Sequence, residues 1–169
     1  MTLTITIPGL PPRECSPNAR VHWIVKAKHA AHYRETVRII AQSFAREYSR
    51  TESATSFVIG QPPARALVDV TFIVPDKRRR DKTNYASAFK AGLDGLVDAG
   101  VIVDDSHEHI DDQYHIVYEK GKSMTIVEVT GEYEPKTPLG AELLRIRNKA
   151  IAGGMELLSE DELEALREA

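Results

Sequence analysis

LVDVTFIVPDKRRRDKTNYASAFKAGLDGLVDAGVIVDD, residues 67–105, contains a strand, a helix and the charged segments that join them. Val68, Val70, Phe72 and Val74 alternate with other residues, the period-two pattern of a strand with one buried face. That strand delivers four consecutive cations, Lys77, Arg78, Arg79 and Arg80, straight into Asp81. A helix is expected over residues 84–99, because Tyr85, Phe89, Leu93, Leu96 and Val97 share one face at about 100° per residue. Asn84, Ser87, Lys90, Asp94 and Asp98 fall within an arc of roughly a third of the circumference. They form a polar stripe that begins beside Asp81. Gly100 supplies the glycine stop, and Val101, Ile102 and Val103 then lead to adjacent carboxylates, Asp104 and Asp105.

On the N-terminal side, Leu3, Ile5 and Ile7 alternate with threonines as a strand, ended by Pro8-Gly9 and Pro11-Pro12. Residues 23–48 contain neither proline nor glycine, and their apolar positions recur at helical spacing, so one long helix is expected. Residues 50–64 read as a loop. On the C-terminal side, 113–118 and 123–132 read as two strands around Gly121, for which a hairpin is the natural expectation. The order β, α, β, α, β, β indicates an α/β or α+β fold, a small mixed β-sheet packed with helices. Residues 1–134 form that domain. Residues 135–169 read as a helical C-terminal extension: Leu143, Leu144, Ile146 and Ile151 come before Gly153-Gly154, and Ser159 with Glu162 matches a capping box. Its sequence names no chemistry, and self-association or a partner protein is the expected use.

With 169 residues, 42% of them hydrophobic, the chain suits one domain with a real core. A net charge of −3 does not mark a protein that coats DNA, so any nucleic-acid contact must be local. Cys15 is the only cysteine, which excludes an intrachain disulfide and a thiolate zinc cluster. No apolar run approaches a membrane span and the first residues alternate like a strand, so a cytoplasmic location is expected.

Cations hold a polyanion, and carboxylates hold a hard divalent cation that acts on it. Lys77, Arg78, Arg79, Arg80, Asp81, Asp104 and Asp105 therefore read together as a phosphate-and-metal site if the helix they bracket packs antiparallel to the strands around it. Two plainer readings stand beside this one. Aspartates at helix ends also serve as caps and dipole partners, and Lys90 with Asp94, four apart, can form an ordinary surface ion pair. His107, Glu108, His109, Asp111, Asp112 and His115 cluster in sequence, but a solvated loop is the favoured reading. His22, His29 and His32 lie on or beside the long helix and read as surface histidines. Cys15 lacks an acid–base partner and reads as inert.

The series PP-x-x-x-SPNAR, RRRD-x-x-N, a lysine on the following helix, LDGLVDAG and VDD resembles the RusA family of Holliday junction resolvases over about residues 5–132. The wording of the motifs is most similar to versions carried by phages and prophages of high-GC bacteria. The resemblance implies a homodimer that binds four-way DNA junctions and cuts two strands symmetrically with Mg²⁺ or Mn²⁺. Asp81 then matches the first acidic ligand, Asn84 the motif asparagine, Asp105 the late acidic ligand with Asp104 beside it, and Lys90 the catalytic lysine. Asp94 is a further acid on the same stripe. Lys77, Arg78, Arg79, Arg80, Asn84, Asn18 and Arg20 would contact DNA. The chain departs from the pattern twice. Thr83 stands where the family commonly has an aspartate before the asparagine, and Lys90 lies farther beyond Asn84, an apparent insertion. Metal-dependent endonuclease is the leading expectation. The alternatives are a junction-binding or recombination accessory protein without catalysis, and a protein-interaction module built on the acidic hairpin and tail.

Overall fold

The computed structural model describes residues 2–51 and 62–131. The expected tail helices and most of the 50–64 loop lie outside the described residues. In chain order the elements are β1 (Thr2–Pro8), a 3-10 turn (Arg13–Cys15), α1 (Trp23–Thr51), β2 (Ala66–Val74), α2 (Lys82–Asp98), β3 (Ile110–Tyr118) and β4 (Met124–Gly131). Helix α1 continues through Arg50 and Thr51, where the loop was expected to have begun, since neither residue is a helix breaker.

The four strands form one mixed sheet in the order β1-β4-β2-β3, a small α+β fold. β1 and β2 each pair antiparallel with β4, and β2 pairs parallel with β3. This corrects the expected hairpin. β3 and β4 follow one another in sequence yet lie on opposite sides of β2. Burial accounts for the choice: Thr125, Val127 and Val129 of β4 are fully buried, whereas of β3 only Ile110 is. An apolar strand suits an interior position and a polar one an edge, where charge also blocks pairing with other chains. β3 also begins at Ile110, three residues before the expected start, so Asp111 and Asp112 belong to the sheet rather than to a loop. Register with β2 and an Arg65–Asp111 ion pair at 2.8 Å hold them there, a case of tertiary context overriding the low strand preference of aspartate.

Side chains on the covered face form cross-strand rows: Leu3, Val129, Val68 and Asp112; then Ile5, Val127, Val70 and Tyr114; then Ile7, Thr125, Phe72 and Ile116. The rows are fully buried from β1 to β2 and open up at β3. Phe72 and Phe89 join β2 to α2 edge-to-face, with ring centroids 5.9 Å apart. Tyr33, Val37 and Ala41 on α1 complete the core. Where the helices touch, Gly95 lies so close to α1 that a Cβ would stand 2.6 Å from the Arg34 carbonyl oxygen.

Candidate functional site

Helix α2 places the site. Asp81 is its N-cap: Oδ1 accepts from the Thr83 N–H at 2.9 Å, satisfying a backbone donor that the helix itself leaves open. The cap role considered from sequence is therefore present. Asn84 donates from Nδ2 to Asp81 Oδ2 at 3.4 Å, and its Oδ1 accepts from Asn18 Nδ2 at 3.2 Å. The SPNAR and RRRD-x-x-N segments, 66 residues apart at these asparagines, thus meet through an amide pair.

At its other end α2 stops at Gly100, whose φ of 71° suits glycine. The Val101 N–H donates to the Leu96 carbonyl at 3.0 Å and the Gly100 N–H to that of Val97 at 2.9 Å, the paired hydrogen bonds of a Schellman motif. Val101 and Ile102 then enter the core, and this anchor carries the acidic pair back along α2. Asp105 forms an ion pair with Lys90, and its side chain is only 17% exposed. Asp104 Oδ1 accepts from the Asp105 backbone N–H at 2.8 Å, closing the turn. Lys90 and Asp105, fifteen residues apart in sequence, therefore meet.

Lys90 and Asp105 line a cleft of 450 Å³ together with Ser87, Asp112 and Tyr114. Asp112 and Tyr114 were missed in the sequence because they were read as part of a solvated histidine-rich loop and its neighbouring strand. Their i, i+2 spacing was the available signal, since it puts both on the face of β3 that looks toward the helices. Burial, and then a hydrogen bond to Asp112, push the Tyr114 phenol above its ordinary range, so Tyr114 remains a donor to that carboxylate.

Asp94 and Asp98 turn toward α1. Asp94 lies 3.7 Å from Lys90 and 4.0 Å from Arg34, while Arg34 Nη2 donates to Asp98 Oδ1 at 2.7 Å. The Arg34 guanidinium lowers the Asp98 carboxyl below the usual range. Among the cations, Arg80 is 15% exposed and donates to the Asp76 and Arg78 carbonyls at 2.8 and 3.0 Å and to the Tyr85 hydroxyl at 3.2 Å. Its role is to shape the turn. Lys77 covers the Tyr118 ring at 5.2 Å, and Arg78 is 86% exposed. Arg79 and Arg20 are exposed as well. His109 contacts the Ala64 carbonyl through Nδ1 at 3.1 Å, and His115 lies 3.4 Å from Asp69 across the open face of the sheet.

A small oxygen-preferring ion such as Mg²⁺ needs only one or two carboxylates, the rest of its shell being water and substrate phosphate. Asp105 and Asp112, on the walls of one cleft, fit that requirement. Asp81 lies nine helical positions before Lys90, about 13 Å along the axis at 1.5 Å per residue. Among the described residues no three His, Cys, Asp or Glu side chains gather into a set that holds an ion unaided. No helix among them is long and apolar enough to cross a membrane. No protein-family model matches this chain, and no curated protein matches it either.

Proposed function

We propose that the protein is a metal-dependent endodeoxyribonuclease acting on branched DNA such as a four-way junction, as its resemblance to the RusA family implies. The observation that carries this reading is the Lys90–Asp105 pair at the wall of the cleft. Asp105, with Asp112 across the cleft, would hold Mg²⁺ or Mn²⁺. Bound there, the ion supplies Lewis acidity at a phosphate oxygen and makes water easier to deprotonate. Lys90 neutralises charge that develops on the phosphate oxygens during cleavage, once the incoming substrate and ion share Asp105 with it. Asp104 holds the turn that presents Asp105. Asp81 stiffens the first turn of α2 and orients Asn84. Arg78, Arg79 and Lys77 bind flanking phosphates, which sets register on the DNA without reading sequence, and the exposed Arg20 adds a further phosphate contact. A homodimer supplies two sites for two strands.

Asp105→Asn tests the assignment, because it removes the carboxylate charge and keeps the shape. Cleavage of a synthetic junction in Mn²⁺ should fall at least about 100-fold, in line with losing a principal electrostatic group, while junction affinity stays within about two-fold of wild type, cutting and backbone binding resting on different contacts. Equal loss of binding and cutting would refute the role. Thr83 and the mutual neutralisation of Lys90 and Asp105 favour a second reading, a junction-binding protein that does not cut. It predicts a shifted but intact junction at every divalent concentration.

A further inference from the structure

A second cleft, of 380 Å³, lies between the N-terminal loop and the first turns of α2, away from the Lys90–Asp105 pair. Building on the nuclease reading, we propose that this cleft receives one unpaired nucleobase of the branched substrate and that Asn18 reads its edge. Pro11, Pro12, Tyr85 and Ala88 give the cleft apolar walls, and Asn18 and Asn84 put amides on its lining. A nucleobase needs that combination, since its faces are apolar and stack, whereas its edge carries donors and acceptors.

Two fixed contacts organise the walls. The Tyr85 ring packs on Phe72 with centroids 5.1 Å apart, and its hydroxyl accepts from Arg80 Nε at 3.2 Å. The ring is therefore a braced platform. On the polar side, Asp81 is an acceptor only, so Asn84 must turn its NH₂ toward Asp81 and its carbonyl toward Asn18. Asn18 must in turn offer an N–H to that carbonyl. It keeps its own carbonyl oxygen and its second N–H, a side-by-side acceptor and donor of the kind that pairs with a base edge. The Ser16 hydroxyl, accepting from the Asn18 backbone N–H at 3.4 Å, holds the loop in place. Arg13 also lines the cleft and supplies a cation for the attached phosphate.

The test is a scan of synthetic four-way junctions in which each base near the crossover is removed singly to leave an abasic site. Binding is read by fluorescence anisotropy in Ca²⁺ for wild type, Asn18→Ala and Arg79→Ala. One symmetry-related position should cost the wild type about five-fold or more in affinity, as lost base stacking does. Asn18→Ala should weaken binding to the intact junction and lose less than the wild type does at that same abasic site, since only the edge contact is already gone and the stacking remains, the non-additivity of two groups in contact. Arg79→Ala should weaken every junction alike. Tight junction binding with no sensitive position, or losses at Asn18 and the abasic site that simply multiply, overturns the base-reading proposal and leaves the nuclease reading intact. Absence of junction binding by the wild type overturns both. An unchanged thermal melt of Asn18→Ala establishes that the loss is not one of folding.

Discussion

Asp81 caps α2, and a pair of substitutions separates that duty from any part its charge plays in cleavage. Asp81→Ala removes the cap of α2 and should cost about 1 kcal/mol, read as a lower denaturation midpoint. Asp81→Asn keeps a capping oxygen and should leave the midpoint almost unchanged. If Asp81 also serves the reaction through its charge, Asp81→Asn loses cleavage at constant stability; full cleavage by that variant confines Asp81 to capping. Sequence showed both readings of this residue without choosing between them, because a helix-end aspartate looks the same in either. Lys90 and Asp105 were each marked as site candidates in the sequence, but the only partner read there for Lys90 was Asp94. Spacing along the chain does not reveal that a Gly100 turn and two buried residues, Val101 and Ile102, fold the acidic pair back onto α2.

At the level of elements, the contact of α1 with α2 rests on one missing methyl group. Gly95→Ala drives a Cβ to 2.6 Å from the Arg34 carbonyl oxygen and 3.0 Å from Val37 Cβ, so the helices must separate. A loss of about 1–3 kcal/mol is expected from such overpacking, despite the better helix propensity of alanine; a rise in melting temperature would show that the interface yields freely. The same two helices are joined by Arg34 and Asp98, and this pair is pH-sensitive. Asp98 has a lowered folded-state pKa, first through its hydrogen bond from Arg34. The folded protein therefore holds that proton less tightly than the unfolded chain does. The pair's contribution is present above the ordinary carboxylate range and is lost as pH falls through the folded value. Asp98→Asn should accordingly flatten the fall in melting temperature below about pH 4, the ordinary aspartate value, and leave a larger deficit at neutral pH than in acid. Both helices, β1 and β2 could be read from periodicity. The β3–β4 relationship could not, since adjacent strands in sequence favour a hairpin and only burial, apolar on β4 and polar on β3, sends them to opposite sides of β2.

At the scale of the whole molecule, a one-sided sheet buries its rows under two helices from β1 through β2, and polarity increases toward β3. That gradient leaves the 450 Å³ cleft at the polar end. The sequence revealed the fold class because alternation and helical periodicity are local. It did not reveal Asp112 and Tyr114 as cleft residues, because their place depends on a parallel register with β2. The central claim is the proposed nuclease activity, and cleavage of a labelled junction tests it most directly. Wild-type protein should cut an end-labelled synthetic four-way junction at paired, symmetry-related positions on opposing strands in Mg²⁺ or Mn²⁺ and leave it whole in EDTA. A junction that remains intact in both metals, or one cut equally well in EDTA, would contradict the account.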